Sequence, residues 1–391
     1  MTRVLHVGKY YPPRWGGMET VLKDICETIA ARVQLRVVVA NESPRQEEDR
    51  SAGFHLTRLA TWRTLCSQPL TPGLWGLLRR ERAEIVHLHE PNPLALALFL
   101  LARHQGRLVI HYHSDIVRQR KLKWLYRPIL ELGLSRAGAI IAGSRELIDS
   151  SPVLARHRAK CLVIPFGIDL RPFLALDPHV RAAAPGRRVL AVGRFSYYKG
   201  FQFLIESMTH WDGELTLVGD GELRAELEAA ARRLGVAARV HFTGRVGEEE
   251  LIRRYREADL FCLPSCERSE AFGLVMVEAM GAALPVVSTD LPTGVRAVNQ
   301  HGETGLVVAP GEPSALGAAI SSLLGDPERR LRMGLAGRER AVRLFSREAM
   351  AESILRLYAA VAPPEAGGGA PGGAAGSERT ETCPPPKQLY P

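Results

Sequence analysis

No stretch of this chain is long and apolar enough to cross a bilayer. The longest apolar run, Leu94–Ala102, falls far short of the roughly 20 residues that a membrane-spanning helix needs. The first residues, Met1 to Gly8, run straight into a strand-like pattern without the apolar core of a signal peptide, so a cytoplasmic protein is expected. Cysteine is sparse. Cys26, Cys66, Cys161, Cys262, Cys266 and Cys383 are scattered without a paired framework, which fits a reducing compartment. Cys262 and Cys266 lie four apart, but no second Cys/His pair accompanies them at zinc-finger spacing. No Gly-x-Gly-x-x-Gly follows the first strand, which disfavours a hydride-transferring dehydrogenase. No recognisable nucleic-acid module accompanies the basic charge.

What is present is an ordinary globular composition, 46% hydrophobic and 24% charged, in 391 residues. That length exceeds what one core supports, so two domains are expected. The net charge of +9 is uneven. Residues 1–180 hold 26 Lys/Arg against 16 Asp/Glu, whereas the remainder holds 25 against 26. An anionic partner should therefore meet the first half.

Apolar strand patterns alternate with helical ones through both halves, the signature of parallel sheets covered on both faces. In the first half, strands are predicted at Val4–Val7, Gln34–Ala40, Ile85–His89, Leu108–His113 and Ala139–Ala142, with a helix at about 19–31. After a Pro/Ala-rich linker the alternation restarts at Arg188–Val192, with later strands at Glu214–Val218, Val240–Phe242, Leu260–Leu263, Pro285–Ser288 and Leu306–Val308. Helices are predicted at 200–209, 221–234, 247–257, 272–283, 313–324 and 327–344. The expected organisation is an α/β protein of two Rossmann-like domains, 1–175 and 186–345. A helix at 346–362 would return to the first domain, and a Gly/Ala/Pro-rich tail at 363–391 cannot bury a core. Ligands of open parallel sheets bind outside the carboxyl ends of the strands, so the chemistry is expected where two such edges face each other.

Two carboxylates, Glu270 and Glu278, stand eight positions apart, with seven residues between them, in the segment Ser269–Met280. If mostly helical, that spacing spans roughly 12 Å, about the distance from a hexose across a diphosphate to a ribose. Glu270 could hold sugar hydroxyls and Glu278 both ribose hydroxyls, while the helix beginning at Phe272-Gly273 aims its first amides at phosphate oxygens. A plain helix-terminus acid would explain Glu270, but apolar Leu274–Val277 leave little solvated face for Glu278. Directly after the strand Arg188–Val192 comes Gly193-Arg194-Phe195-Ser196-Tyr197-Tyr198-Lys199-Gly200. Arg194 supplies a planar fork of donors and Lys199 a point charge, a pairing suited to a leaving diphosphate. A metal could serve instead, but no Asp-x-Asp pair occurs, so cationic side chains are the expectation and no metal or cofactor is assigned.

With Gly16-Gly17-Met18-Glu19, the Arg194/Lys199 loop, Val218-Gly219-Asp220-Gly221-Glu222, Leu263-Pro264-Ser265 and the Glu270/Glu278 segment in this order, the chain resembles the retaining glycosyltransferases of the two-domain B architecture, called group 1 or family 4. The resemblance covers about residues 3–345. It implies that Arg194 and Lys199 bind the donor phosphates, Glu278 the nucleotide ribose and Glu270 the donor sugar. It places Gly16 or Gly17 against the diphosphate, the amides of the Thr293-Gly294-Val295 loop on the donor, and His113 as the active-site histidine near the reacting sugar and acceptor. His87, His89 and His111 are expected to alternate in direction along their strands, and a His89/His113/Asp115 metal site is disfavoured by the resemblance. One departure is Gly281-Ala282-Ala283-Leu284, where the family usually carries glycine just before the Leu/Ile-Pro-Val-Val strand.

The resemblance implies a hexosyltransferase working on a nucleotide-sugar donor and a saccharide or polyprenyl-linked acceptor. Front-side substitution is favoured, with the donor phosphate taking the acceptor proton. The run His113–Gln119 is similar to mannosyltransferases that build bacterial surface polysaccharides, which makes GDP-mannose the leading donor and UDP-hexoses the next. Residues 101–136 carry eight Lys/Arg and two Asp/Glu, with Leu122, Leu125, Ile129 and Leu132 at helical spacing and Trp124 and Tyr126 between them. This suits either an interfacial helix over residues 116–132 on an anionic inner membrane face or a helix packed on its own sheet. The rival readings are a nucleotide-sugar epimerase of the same fold and a basic nucleic-acid-binding protein.

Overall fold

The computed structural model describes residues 1–14, 16–65, 68–115, 120–178 and 187–362, apart from the side chains of 120–123. Two compact units divide the chain. The first takes Met1–Ala142, Pro152–Ile164 and the segment from Ala351; the second takes Gly143–Ser151 and Pro165–Met350. Residues 165–175, read from sequence as the end of the first domain, group with the second unit. Ile168 bridges to Ser346 there, and its N–H donates to the Phe345 oxygen at 3.0 Å. The expected linker runs from after Asp169 to Arg187. Its first part holds a short helix, Arg171–Leu174, and its residues 179–186 lie outside the described residues, as does the tail at 363–391.

The first unit holds an eight-stranded sheet. Its strands are β1 (Arg3–Val7), β2 (Gln34–Ala40), β3 (Glu47–Asp49), β4 (His55–Leu59), β7 (Ile85–Glu90), β8 (Arg107–Tyr112), β9 (Ala139–Ala142) and β10 (Cys161–Val163); a separate hairpin joins β5 (Arg63–Leu65) to β6 (Gln68–Leu70). The sheet order is β10-β9-β8-β7-β1-β2-β4-β3, parallel throughout except for β3 against β4. The second unit is a six-stranded, all-parallel sheet of β11 (Arg188–Val192), β12 (Glu214–Val218), β13 (Val240–Gly244), β14 (Leu260–Leu263), β15 (Val286–Thr289) and β16 (Gly305–Val308), ordered β13-β12-β11-β14-β15-β16.

The predicted strands are present to within one or two residues, because buried parallel strands read as continuous β-branched and Leu-rich runs. The short β3–β6 and β10 lack such runs and were not anticipated. Where strand order reverses, neighbouring loops splay apart and leave a crevice. In the second unit this point lies between β11 and β14; in the first it lies between β1 and β7. Every sequence-predicted site loop follows one of these strands or a close neighbour.

The glycine missing before β15 leaves a mark on the backbone. Ala283 is buried and adopts φ +53°, a left-handed conformation that costs a residue with a Cβ roughly 1–2 kcal/mol. Part of that cost is returned through the unfolded chain, where glycine is freer than alanine. Ala283→Gly is therefore expected to leave stability level or raise it by up to about 1 kcal/mol, read as the denaturant midpoint. A clear loss would show that the strain is illusory.

Candidate functional site

In the second unit the loop after β11 is anchored from its middle. Phe195 is fully buried, edge-on to Phe201 at 5.4 Å and Phe242 at 6.1 Å, and its N–H donates to the Asp220 oxygen at 3.0 Å. With Phe195 pinned, the two cations fall to opposite fates. Lys199 turns inward, and its Nζ lies 2.6 Å from Glu270 Oε2, a pair whose side chains are only 10% and 9% exposed. Arg194 stays outside, 69% exposed, and pairs with Glu222 at 3.1 Å. Gly200, at φ +68°, makes the sharp exit possible; a Cβ there would meet the Pro264 oxygen at 2.1 Å.

Glu270 follows β14 and so faces the Lys199 loop across the reversal point. Its Oε2 also accepts from the buried Ser265 hydroxyl at 2.8 Å. Among the described residues no hydrogen bond reaches its Oε1. Burial opposes the Lys199 charge, but Glu270, Tyr198 and Glu278 outweigh it and hold the ammonium above its ordinary range. The helix that follows starts at Leu274, two residues later than predicted, because Gly273 at φ +78° forms its N-cap. Phe272 is not offered to a ligand as a side chain. It is buried against Phe166 at 5.0 Å and Phe345 at 5.7 Å, so only its backbone can take part in binding. Gly294 packs against this loop, donating its N–H to the Ala271 oxygen at 2.8 Å, and a Cβ there would strike the Phe272 ring at 2.4 Å. The Thr293 hydroxyl caps the short helix Gly294–Val298.

Glu278 lies one turn into the helix Leu274–Gly281 and accepts at Oε2 from the Tyr255 hydroxyl at 2.7 Å. Burial raises its carboxyl to about 7, with Tyr255 and Lys199 pulling the other way. Lys199 is thus within electrostatic reach of both Glu270 and Glu278, while Arg194 stands off with Glu222. Tyr255, Ser265 and Glu222 were not singled out as site residues. Tyr255 is the one buried side chain on the charged helix Glu248–Glu257, a fact of packing that its neighbours in sequence do not announce.

In the first unit, Gly16 caps the helix Gly17–Ile29 beyond β1. A Cβ at Gly16 would meet the Glu19 carboxylate, whereas one at Gly17 would meet nothing within 4 Å. The histidines do not alternate in direction. His87 and His89, like His111 and His113, are two apart and so share a face, since successive strand residues point oppositely. The register aligns His6 with His87 and His89 with His111, which brings all five onto one buried face. Two triads, His6/His87/His89 and His89/His111/His113, have nitrogens within 4.8 Å of one another. Asp115 is not in either triad and instead accepts from the Tyr112 hydroxyl at 2.7 Å. His89 uses Nδ1 toward His113 and Nε2 toward His6, so an ion in either triad would have to displace a hydrogen bond. Beside them Glu90 is buried, accepting at Oε2 from Tyr126 at 2.7 Å and the Asn92 N–H at 2.9 Å; burial lifts its carboxyl to about 7. Of the cysteine pair, Cys262 lies in the core, and Cys266 Sγ donates to the Tyr197 oxygen at 3.4 Å.

Glu278 generates a pH prediction. Its folded value of about 7 exceeds the ordinary 4.5, so the folded state holds the extra proton between them. The associated stability is complete below the lower value and is lost as pH rises through the upper one. Glu278→Gln removes this loss, so the variant should gain on the parent in melting temperature from pH 5 to pH 8. A gap that stays constant across that range would contradict the assignment.

Comparison with known proteins gives this geometry a family. Residues 15–171 match the model described as Glycosyltransferase Family 4, and residues 179–340 match that described as Glycosyl transferases group 1. The O-antigen chain mannosyltransferase C of Escherichia coli is 32% identical over 365 residues, covering 91% of this chain and 98% of that protein. The D-rhamnosyltransferase WbpZ of Pseudomonas aeruginosa is 33% identical over 352 residues, covering 88% and 92%. Among solved structures, Anabaena HepE in complex with UDP superposes with a TM-score of 0.76 at 21% identity, over 92% of this chain and 100% of that one. Sucrose-phosphate synthase of Thermosynechococcus elongatus gives 0.74 at 24% identity, over 92% and 98%. The fold is the two-domain B architecture, and the chain belongs to the group 1, family 4 glycosyltransferases.

Proposed function

We propose that this glycosyltransferase moves a hexose, with retention of configuration and without a metal, from a nucleotide diphosphate sugar to a saccharide or lipid-linked saccharide acceptor. The observation that carries the reading is the buried Lys199–Glu270 pair at the β11/β14 reversal point, with Glu278 beyond it on the following helix. Glu270 Oε1 is left for a donor-sugar hydroxyl, and Lys199 meets phosphate oxygens. Arg194 leaves Glu222 for the diphosphate, whose charge grows as the bond to the sugar breaks. In the second unit the backbone of Phe272-Gly273 and of Thr293-Gly294 serves the donor; in the first unit the roles assigned are diphosphate contact for Gly16 and Gly17 and contact with the reacting sugar for His113. Front-side substitution, in which the donor phosphate takes the acceptor proton, suits a site whose buried carboxylate is held by a lysine rather than left as a nucleophile. Mannose is the favoured sugar, because the names of the two bacterial relatives refer to mannose and to D-rhamnose, its 6-deoxy form. GDP is the favoured nucleotide.

Turnover measured against a panel of nucleotide sugars tests the reading, with GDP-mannose expected to be the best donor. Arg194→Ala should lower kcat by roughly 10²–10³-fold, as expected for a group that stabilises developing charge. Its exposure means that the melting temperature should hardly move. Near-normal turnover in that variant would remove the phosphate role.

The membrane reading gains support from the helix Arg120–Arg136. It is buried by Tyr126, Leu130 and Leu134, not by the stripe expected from sequence. Trp124, Leu125 and Leu132 are 75%, 64% and 44% exposed. Trp62, Trp75 and Leu101, also exposed, belong to the same unit. Residues 116–119 of the proposed segment lie outside the described residues. Aromatic and aliphatic side chains set among cations are the composition of an interfacial contact with anionic lipid. Among the described residues no helix is long and apolar enough to cross a membrane. The protein is expected to float with phosphatidylglycerol vesicles at low salt, and Trp124→Ala/Leu125→Ala to float less. Flotation that is absent at low salt, or equal in the two proteins, would sink the idea.

A further inference from the structure

Four of the first unit's histidines are strung with Tyr358 into one hydrogen-bonded chain. His113 Nε2 lies 2.9 Å from His89 Nδ1, and His89 Nε2 lies 3.1 Å from His6 Nδ1. His6 Nε2 lies 2.8 Å from the Tyr358 hydroxyl, which in turn lies 2.5 Å from His87 Nδ1. Tyr358 sits on the helix Arg347–Val361 and is buried, as are all four rings. Burial keeps the rings neutral: His6 and His113 are pushed down to about 3, and His87 and His89 fall well below the ordinary value.

A neutral imidazole carries one N–H and one lone pair, so a ring that accepts at one nitrogen donates from the other. Were Tyr358 to accept from both neighbours, its own buried O–H would be left without a partner, so the protons along this chain all run one way or all run the other. If every ring is protonated at Nε2, the series ends on an N–H at His87 Nε2, a buried atom with no hydrogen-bond partner among the described residues. If every ring is protonated at Nδ1, His87 donates to Tyr358, Tyr358 to His6, His6 to His89 and His89 to His113. The atom left over at His87 Nε2 is then a lone pair. Buried N–H groups without a partner are rarer in folded proteins than under-satisfied acceptors, so the second direction is favoured.

We propose that Tyr358 is a positioning residue which, through His6 and His89, holds the proton of His113 on Nδ1. His113 then acts as a hydrogen-bond donor and not as a base. The consequence for transfer rests on the reading above: His113 steadies an oxygen of the sugar or acceptor, and the acceptor proton goes to the donor phosphate. The device joins the carboxyl end of β8 to a helix more than 240 residues further along the chain, with each link a neutral group in a dry column.

The test is long-range ¹H–¹⁵N correlation on the full-length protein labelled at histidine, with His113→Gln used to assign the signal. The parent protein should show His113 as a single Nδ1–H tautomer. Tyr358→Phe removes the hydroxyl that passes the proton order along, and His6→Gln cuts the chain while leaving Tyr358; each should turn His113 into a tautomer mixture. In Tyr358→Phe, kcat should fall by up to roughly ten-fold, the scale of one lost hydrogen bond, with the donor KM unchanged. If Tyr358→Phe does not fold, His6→Gln carries the test. An Nε2–H signal for His113 in the parent, or an unaltered signal in the variants, overturns the proposal. The spectrum needs no sugar donor, so a chain inert towards every nucleotide sugar would count against the transferase reading and leave the tautomer question decided.

Discussion

The second unit is organised around one buried ion pair. Lys199 and Glu270 come from loops after two adjacent strands, and neither charge could stay in its low-dielectric position without the other. Desolvating both ions is so costly that such pairs add little net stability, and well-packed apolar residues would often serve as well. An arrangement that is poor value for stability is a good candidate for function. Around it the protein has placed what a buried carboxylate requires: a serine hydroxyl on the same oxygen, and a tyrosine on the neighbouring Glu278. The strand order puts this pair where the sheet itself opens a crevice.

The first unit solves a different problem with the same rule. Five buried histidines on one face of a parallel sheet would be expensive without hydrogen-bond partners. Four of the rings are joined in one series, in which a neutral ring donates to one neighbour and accepts from the next, and Tyr358, between His6 and His87, is a group that does both. Because each link constrains its neighbour, the column behaves as one unit, and its polarity is set by the atom left unpaired at its end. Both units thus keep polar groups in dry places by pairing them, one through charge and one through an ordered proton.

Strand positions and the α/β class were legible in the sequence, and so were the strand ends and the helix that carry Lys199, Glu270, Glu278 and His113. They depend on local rules: continuous apolar runs for parallel strands, glycine at left-handed positions, and charged residues placed where burial makes them costly. The family membership was legible for the same reason, since its motifs are short and each sits beside a strand end. What escaped was whatever depends on partners distant along the chain. Nothing local marks Tyr255 as the hydroxyl that holds Glu278, or Glu222 as the resting partner of Arg194. Phe272 adjoins Gly273 in sequence, yet its ring packs against Phe166 and Phe345. The helix Arg120–Arg136 buried a different face from its Leu stripe, because the available surface was decided by the neighbouring helix and not by hydropathy.

The amino-acid order by itself determined which residues form strands and helices and which side chains carry charge, since these follow from spacing over a few residues. Tertiary structure alone decided pairing. Whether Lys199 meets Glu270 while Arg194 does not, and whether His6 lines up with His87 and ends on Tyr358, depends on strand order, register and helix docking. Those are set by burial of the whole apolar surface at once, a global balance that no short stretch of sequence contains.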